Sequence, residues 1–308
     1  MKKYNTFLAI FLVYLLLNIV LLPKLYITAT FNGIKAWAFN VLPSLLPFMI
    51  LTKLICNLNV IEQFSTVLHK PCKRLFNCPS TASLVFATSV LSGYPVGASM
   101  TADLYQAGKI SKSEAFRMCS FCSTSGPMFI IGSVGATMFG DIRCGYIILT
   151  SHILGALLNG LLYRNLIAPK FDEKQLSNST SSQQDFVSIV QSSVSTILSI
   201  GAIIAFFFVV TTSLSPLFSI FPPQISCLLE GFVEITKGCQ EITTSLNGSY
   251  AVIGATFIIS FGGLSTILQS NSILKKLNMP IKTFIKQKIT HALISVGIAT
   301  LLYIIFIH

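Results

Sequence analysis

Two glycine-rich interruptions of apolar sequence carry residues that could bind a small solute. The first is SGYPVG at 92–97, and the second is SFGGLS at 260–265. A helix that restarts after such an interruption leaves backbone N–H groups unpaired in its first turn, and these groups bind carboxylates or phosphates. Ser99 and Gln269 follow closely and add a hydroxyl and an amide. We therefore predict a solute site at these interruptions, with an anion as its ligand.

Each interruption also has a purely structural interpretation. The residues after 97 can form a capped surface helix with Asp103 near its first turn, and Gly262 and Gly263 can serve close helix packing. The apolar sequence around both interruptions favours binding. Lipid cannot satisfy the polar backbone of a broken helix, so a break at membrane depth must face protein or a water-filled cavity.

A third interruption, Ser125-Gly126-Pro127, lies inside another apolar stretch. Proline removes one helical hydrogen bond and frees a carbonyl group. This segment is either part of the solute site or an ordinary proline kink of a transmembrane helix. The residues alone leave both interpretations open.

An acidic cluster lies in the second half of the chain. Their helical spacing predicts that Glu230, Glu234 and Glu241 share one helical face. Carboxylates inside a membrane are costly and usually functional, although the segment could instead be a solvated interfacial helix. We assign a binding role to Glu234. The predicted substrate-binding residues are Ser92, Gly93, Pro95, Gly97, Ser99, Ser125, Gly126, Pro127, Glu234, Ser260, Gly262, Gly263, Ser265 and Gln269.

The composition decides which elements position these residues. Hydrophobic residues make up 53% of the 308 and charged residues only 10%, whereas soluble domains carry about 25% charged residues. So little charge cannot coat a water-facing surface, and we predict an all-α polytopic membrane protein in a lipid bilayer. The net charge of +11 fits the excess of basic residues in cytoplasmic loops and is compatible with an anionic substrate. Scattered basic residues argue against nucleic-acid binding.

Enzymatic chemistry has little support in the sequence. It contains no Ser/His/Asp arrangement, no HExxH and no phosphate-binding loop. His152 and His291 lie in apolar segments, where a single histidine is usually a hydrogen-bonded packing residue. Cys119-x-x-Cys122 has no second pair at metal-ligand spacing. We predict no enzyme, no metal site and no cofactor, and the coupling ion stays open.

Six segments are long and apolar enough to cross a membrane, for which about 20 residues are needed. The first begins near the N-terminus and is interpreted as an uncleaved helix rather than a signal peptide. A polar linker divides the chain into halves, giving an N-terminal helix at 1–32, a first half at 33–169, a linker at 170–186 and a second half at 187–308. The predicted spans are 4–26, 33–56, 115–139, 144–166, 187–214 and 290–307.

The halves suggest a two-fold internal repeat with discontinuous or re-entrant helices, as in many secondary transporters. Aligning Ser92 with Ser260 gives an offset of 168, at which Phe116 falls on Phe284. A strictly inverted second half would then place the lysines at 275–288 outside, against the charge rule. Either the repeat is not simply inverted, or one segment between 226 and 274 crosses the membrane completely.

At these motifs the chain resembles the sporulation integral membrane protein family YlbJ, also called SpoVV, of endospore-forming bacteria. This family carries a nucleoside recognition or gate domain that it shares in part with concentrative nucleoside transporters. The chain is somewhat short for the family, and Tyr94 stands where many members have phenylalanine. The matching stretches are Leu42–Phe48, Ser92–Leu104, Ser125–Gly132, Leu229–Gly231, Glu234–Gly238 and Ser260–Ser265.

The resemblance implies transport of dipicolinic acid from the mother cell across the outer forespore membrane during sporulation. The resemblance to the gate domain alone implies a transporter of nucleosides or other small metabolites. A third hypothesis is a scaffold without transport activity that recruits sporulation proteins. The oligomeric state stays open.

Overall fold

The computed structural model describes residues 2–57, 70, 72–168 and 185–307 of the chain. These residues form helices joined by short turns, with no strand among them. Most of the predicted linker at 170–186 lies outside the described residues. The helices are α1 Lys2–Leu21, α2 Pro23–Ala36, α3 Leu42–Asn57, α4 Thr81–Ser92, α5 Val96–Gln106, α6 Lys112–Phe121, α7 Ile142–Leu162, α8 Phe186–Phe218, α9 Pro223–Val233, α10 Ile235–Ser245, α11 Gly248–Phe261, α12 Gly263–Lys276 and α13 Ile281–Phe306.

Two further segments, Trp37–Val41 and Met128–Met138, are π-helical. Within the described ranges, four segments are long and apolar enough to cross a membrane. They are Ile142–Leu162, Phe186–Phe218, Gly248–Ser270 and Ile281–Phe306.

The N-terminal part of the chain is bent rather than straight. Helix α1 ends at Leu21, and α2 begins at Pro23 after a bend of 107°. Proline disfavours helical geometry at the preceding residue, and Leu22 accordingly has non-helical dihedral angles. The continuous span predicted at 4–26 is therefore wrong at this point. The span predicted at 115–139 is interrupted at 122–127, between α6 and the second π-helical segment.

Three long helices form the centre of the protein. Helix α13 packs along α7 and α11, and the segment Met128–Met138 lies against α7. Large side chains of these helices, including Ile148, Ile258 and Ile259, are fully buried between them. Helix α8 lies beside this centre and packs against α2 and α3. Many large apolar side chains on the outside stay exposed, as a lipid-facing surface requires.

The two interruptions identified first have different geometries. Helices α4 and α5 fold back on each other, so residues 93–95 form a hairpin turn. Helices α11 and α12 instead belong to one 23-residue segment that can cross the membrane, Gly248–Ser270. The predicted offset of 168 therefore pairs unlike elements, and that correspondence is wrong.

A second hairpin exists at a place where a continuous helix was expected. Helices α9 and α10 pack side by side and meet at Glu234, which has extended dihedral angles. A Cβ added at Gly238 would lie 2.1 Å from the Cα of Gly231, so only two glycines allow this close approach. Glu230, Glu234 and Glu241 consequently do not share one helical face.

Both halves now show the same order of elements. In each half a helical hairpin comes first, a broken helix follows, and a long helix ends the half. In the first half these are α4–α5, then α6 with Met128–Met138, then α7. In the second half they are α9–α10, then α11–α12, then α13. If Gly248–Ser270, which is long and apolar enough, crosses the membrane, then Lys275, Lys276, Lys282 and Lys286 lie on the cytoplasmic side, as the charge rule requires. An inverted repeat in this alignment is compatible with the charges.

Candidate functional site

A small cavity lies where the two hairpins and the two broken helices meet. Its volume is about 80 Å³. It combines apolar side chains with hydroxyl, amide and carboxyl groups. Its lining residues are Val41, Leu45, Gly93, Tyr94, Ser125, Gly126, Phe129, Ile200, Ile204, Glu234, Ile235, Thr236, Ser265, Thr266 and Gln269.

Four helix N-termini converge on this cavity. Helices α5, α10 and α12 and the segment Met128–Met138 all restart next to residues that line it. None of the final residues of the preceding helices, Ser92, Phe121, Val233 and Phe261, is among the lining residues. The positive ends of four helix dipoles therefore surround the central cavity.

The first hairpin is fastened to the break at 122–127 through Ser89 of α4. Its hydroxyl donates to the backbone oxygen of Cys122 at 2.7 Å, lies 2.8 Å from the hydroxyl of Thr124 and accepts from the Thr124 N–H at 3.2 Å. Gly97 permits this contact, because a Cβ there would lie 1.8 Å from the Cys122 oxygen. The carbonyl of Cys122 and the N–H of Thr124, two backbone groups at the break, thus have partners inside the protein.

His152 of α7 connects the two broken helices. The backbone N–H of Ser125 donates to its Nε2 at 2.9 Å. Because Nε2 accepts, the neutral ring carries its proton on Nδ1, which lies 2.9 Å from the hydroxyl of Ser260. His291 packs against this ring at 4.8 Å between centroids, and its Nε2 donates to the His152 carbonyl at 2.9 Å. Both histidines are therefore hydrogen-bonded packing residues.

Lys288 of α13 lies behind the cavity, with 2% of its surface exposed. Its Nζ donates to the hydroxyl of Tyr94 and, at 3.0 Å, to the backbone oxygen of Ser123. The side chain thus joins the first hairpin turn to the break that follows α6. Its Nζ is separated from the cavity by the Tyr94 side chain, which lines the cavity.

Glu234 lies at the tip of the second hairpin and is 3% exposed. Its carboxylate accepts from the backbone N–H of Lys237 at 2.8 Å and caps α10. The helix N-terminus offsets part of this negative charge. The Nζ of Lys237 lies 3.5 Å from the carboxylate of Glu230, which forms an ion pair near the same turn.

Two larger cavities lie on either side of the central one along α8. The outer cavity holds about 480 Å³ and touches α8 at Phe208 and Thr212. The inner cavity holds about 370 Å³, includes Lys53 and Asp103, and shares Ile200 and Gln269 with the central cavity. Helix α8 is long and apolar enough to cross a membrane, and the three cavities follow one another along it with the smallest at the centre.

The predicted site residues fall into three groups in this structure. Those that line the central cavity are Gly93, Ser125, Gly126, Glu234, Ser265 and Gln269. Pro95 and Ser99 line the inner cavity, which Gln269 also reaches. The others lie outside both sets of lining residues and shape the walls or breaks; they are Ser92, Gly97, Pro127, Ser260, Gly262 and Gly263.

Several residues near the cavity were not predicted from the sequence. Tyr94 lies in the SGYPVG motif and Thr236 lies two residues after Glu234, so both motifs contained the signal. Thr266 directly follows Ser265. Lys288 gave no such signal, because its place in a lysine-rich segment suggested a cytoplasmic loop. In the part of the chain that the structure describes, no group of three or more His, Cys, Asp or Glu residues could hold a metal ion.

Comparisons with known proteins agree with this architecture. Residues 38–142 match the family model described as Gate: Nucleoside recognition. Two solved structures of CNTnw variants in an outward-facing state resemble the fold. One has a TM-score of 0.55 at 15% identity, covering 99% of this chain and 85% of that chain. The other has a TM-score of 0.49 at 14% identity, covering 98% and 86%.

The similarity to the CNTnw structure with a TM-score of 0.55 shows that this chain has the fold of a membrane transporter. The chain is also 30% identical to the sporulation integral membrane protein YlbJ of Bacillus subtilis (strain 168), over 92% of this chain and 79% of that protein. YlbJ is named as an integral membrane protein. The chain therefore belongs to the family of the sporulation integral membrane protein YlbJ.

Proposed function

We propose that this protein carries a small anionic solute across a membrane, and that the solute is dipicolinic acid crossing the outer forespore membrane. The observation that carries the proposal is the central cavity at the meeting point of two hairpin turns and two broken helices. A scaffold without transport activity needs no polar breaks around a buried cavity. A transporter needs them, because freed backbone groups bind solutes and ions at the centre of the membrane.

The charges around the cavity favour an anion. Four helix N-termini point toward it, and each is equivalent to about half a positive charge. The hydroxyls of Ser125, Ser265 and Thr266 can donate hydrogen bonds. Dipicolinate, a pyridine with two carboxylates, could use donors from both halves of the repeat.

The central cavity must widen before it can hold such a solute. Its volume of about 80 Å³ is well below the roughly 300 Å³ at which ligand sites begin. The outer and inner cavities exceed this volume. A narrow central cavity between the larger outer and inner cavities is the arrangement expected when the hairpins and broken helices move against α8 during alternating access.

Glu234 favours a second candidate, a nucleoside. A carboxylate in the cavity opposes a dianion unless its charge is offset, and it can accept hydrogen bonds from the hydroxyls of a neutral solute. The cap that Glu234 forms on α10 occupies one oxygen and reduces the repulsion. This offset is the reason that the anion remains our first choice.

The decisive experiment is complementation of a Bacillus subtilis strain that lacks YlbJ. Dipicolinate would be measured in spores and mother cells after introduction of this gene or of its Ser265→Ala variant. Restored spore dipicolinate with the wild type, and a several-fold reduction with Ser265→Ala at equal protein level, would support the proposal. Dipicolinate that stays in the mother cell with the wild-type gene would reject this substrate.

Binding by the purified protein separates the two solute classes. Dipicolinate and uridine would each be titrated while thermal unfolding is followed, since a ligand that binds only the folded protein raises its Tm. A rise with dipicolinate alone supports the anion, and a rise with uridine alone supports the nucleoside. Gly263→Leu should abolish either response, because a Cβ at Gly263 already lies 3.2 Å from the Gly231 oxygen.

A further inference from the structure

Lys288 is a lysine whose side chain is buried in the middle of the transporter fold. It lies in Ile281–Phe306, one of the four described segments that can cross the membrane, and is 2% exposed. A charged side chain at such a position is costly and normally has a partner or a function. The other lysines of this region, including Lys282 and Lys286, are exposed.

The partners of Lys288 are neutral oxygen atoms and an aromatic ring. Its Nζ lies 3.0 Å from the carbonyl oxygen of Ser123, which the break at 122–127 frees from helical pairing. It also donates to the hydroxyl of Tyr94, whose own proton is donated to the backbone oxygen of Ile259 at 3.3 Å. The Nζ lies 4.6 Å from the centroid of the Tyr94 ring, within cation–π distance.

Among the described residues, no carboxylate pairs with Lys288. The two ion pairs in these parts of the chain are Arg143–Asp141 and Lys237–Glu230. The environment of the ammonium is therefore a freed carbonyl, a phenolic oxygen and an aromatic face. In transporters with discontinuous helices, unwound backbone carbonyls of this kind coordinate the mobile coupling cation.

The Lys288 side chain lies beside the breaks of both halves. Tyr94 belongs to the turn of the first hairpin, and Ser123 belongs to the break after α6. A Cβ added at Gly262, between α11 and α12, would lie 3.4 Å from the Cε of Lys288. The binding of a mobile cation at this site would therefore depend on the positions of the first hairpin turn, the break after α6 and the break between α11 and α12.

We propose that Lys288 is a tethered cation that occupies the place of a coupling ion, so that solute movement by this protein does not require Na⁺. The ammonium is covalently attached to α13 and stays at the junction throughout the transport cycle. The part of this inference that concerns ion binding is independent of the proposed solute. The part that concerns transport rests on the proposed function.

Thermal unfolding of the purified protein in different salts tests the ion site directly. The salts are choline, sodium, potassium and methylammonium chloride at equal ionic strength. Wild-type Tm should be the same in all four. Lys288→Ala should lower Tm by about 5–10 °C in choline chloride, because two buried oxygens lose their donor. Sodium or methylammonium, which fit into the vacated space, should restore at least half of this loss.

Two further variants serve as controls. Lys288→Met fills the space without a charge, so its lowered Tm should not respond to any of the small cations. Lys282→Ala removes an exposed lysine from the same helix and should behave like the wild type in every salt. Together the three variants separate loss of charge, loss of volume and loss of a cytoplasmic lysine.

Two outcomes would overturn the proposal. One is a selective rise of the wild-type Tm in sodium chloride, which would reveal a mobile Na⁺ site. The other is a Lys288→Ala protein that no small cation restores. If Lys288→Ala does not fold, two measurements on the wild type test the proposal instead. They are its Tm in the four salts and its solute uptake into vesicles with sodium or choline outside. Absence of dipicolinate binding would reject the proposed solute and leave the salt dependence of Tm unaffected.

Discussion

Replacement of His152 by alanine should disconnect the two broken helices. The ring accepts a hydrogen bond from the backbone N–H of Ser125 and bonds the hydroxyl of Ser260, both at 2.9 Å. Ser125 belongs to the first half of the chain and Ser260 to the second, so one side chain joins the halves. All three residues are buried, and water cannot replace the ring without entering the core.

The magnitude follows from the groups left behind. A buried N–H without a partner costs about 1–3 kcal/mol, and the lost bond to the hydroxyl adds about 1 kcal/mol. The vacated ring leaves a cavity and adds to the loss. We expect His152→Ala to reduce the free energy of unfolding by about 3–5 kcal/mol. In large domains each kcal/mol lost lowers Tm by about 2–4 °C, so the expected decrease in Tm is about 6–20 °C.

The assay can use the native cysteines. All seven cysteines for which the structure describes side chains are buried, so a thiol-reactive dye should report unfolding as they become accessible. Leu154→Ala is the matched control, because Leu154 lies on the same helix and is 43% exposed on the outside. Its Tm should stay close to that of the wild type.

A double-mutant cycle tests the bond itself. Ser260→Ala alone should cost about 1 kcal/mol, and the double variant His152→Ala/Ser260→Ala should lose about 0.5–1.5 kcal/mol less than the sum of the single losses, because the shared bond can be lost only once. Full additivity of the two losses, or a His152→Ala protein whose Tm matches the wild type, would refute the assigned link.

Three other predictions follow from the packing, the cavity and the membrane topology. Gly97→Ala should lower Tm by several degrees, because its Cβ would lie 1.8 Å from the backbone oxygen of Cys122. Gly297→Ala is the control and should leave Tm unchanged, because its Cβ would have no neighbouring atom within 4 Å. Ser265→Ala should leave Tm within about 2 °C of the wild type but weaken solute binding several-fold, because it removes one donor from the cavity. In intact cells, an impermeant thiol reagent should label Ser219→Cys, and it should label Lys276→Cys only after the membrane is opened.

Each of these predictions has a clear contrary result. Equal Tm values for the two glycine variants would mean that α5 does not approach the break closely. Unchanged solute affinity of Ser265→Ala, measured by titration, would remove its hydroxyl from the binding site. Labelling of Lys276→Cys in intact cells would reverse the assigned orientation of α12 and α13.

Local sequence predicted where helices end, because backbone geometry is a local property. Gly262 has φ = 95° and closes α11 in the left-handed region, which glycine adopts without strain. Pro127 precedes the restarted segment Met128–Met138, as the third interruption suggested. The family resemblance and the all-α membrane class are confirmed by the similarity to YlbJ and by the fold. The substrate roles of the individual residues stay predictions.

Local sequence could not predict the direction that the chain takes after an interruption. The interruptions at 92–97 and 260–265 look alike, yet the chain turns back at the first and continues at the second within a segment that is long enough to cross the membrane. At Glu234 it turns back where the residues suggested a continuous helix. Direction depends on contacts between distant surfaces, such as the close approach of Gly231 and Gly238, that no local pattern reveals.

The sequence by itself determined that this protein lies in a membrane and that its helices are broken at polar, glycine-rich places. Both properties follow from composition and local backbone preference, which need no tertiary contact. Only the tertiary structure decided which residues from these places share one cavity and that Lys288 points into the core rather than to the cytoplasm. The physical reason is that burial of a polar group depends on partners far away in the chain, here Tyr94 and Ser123, more than 160 residues from Lys288.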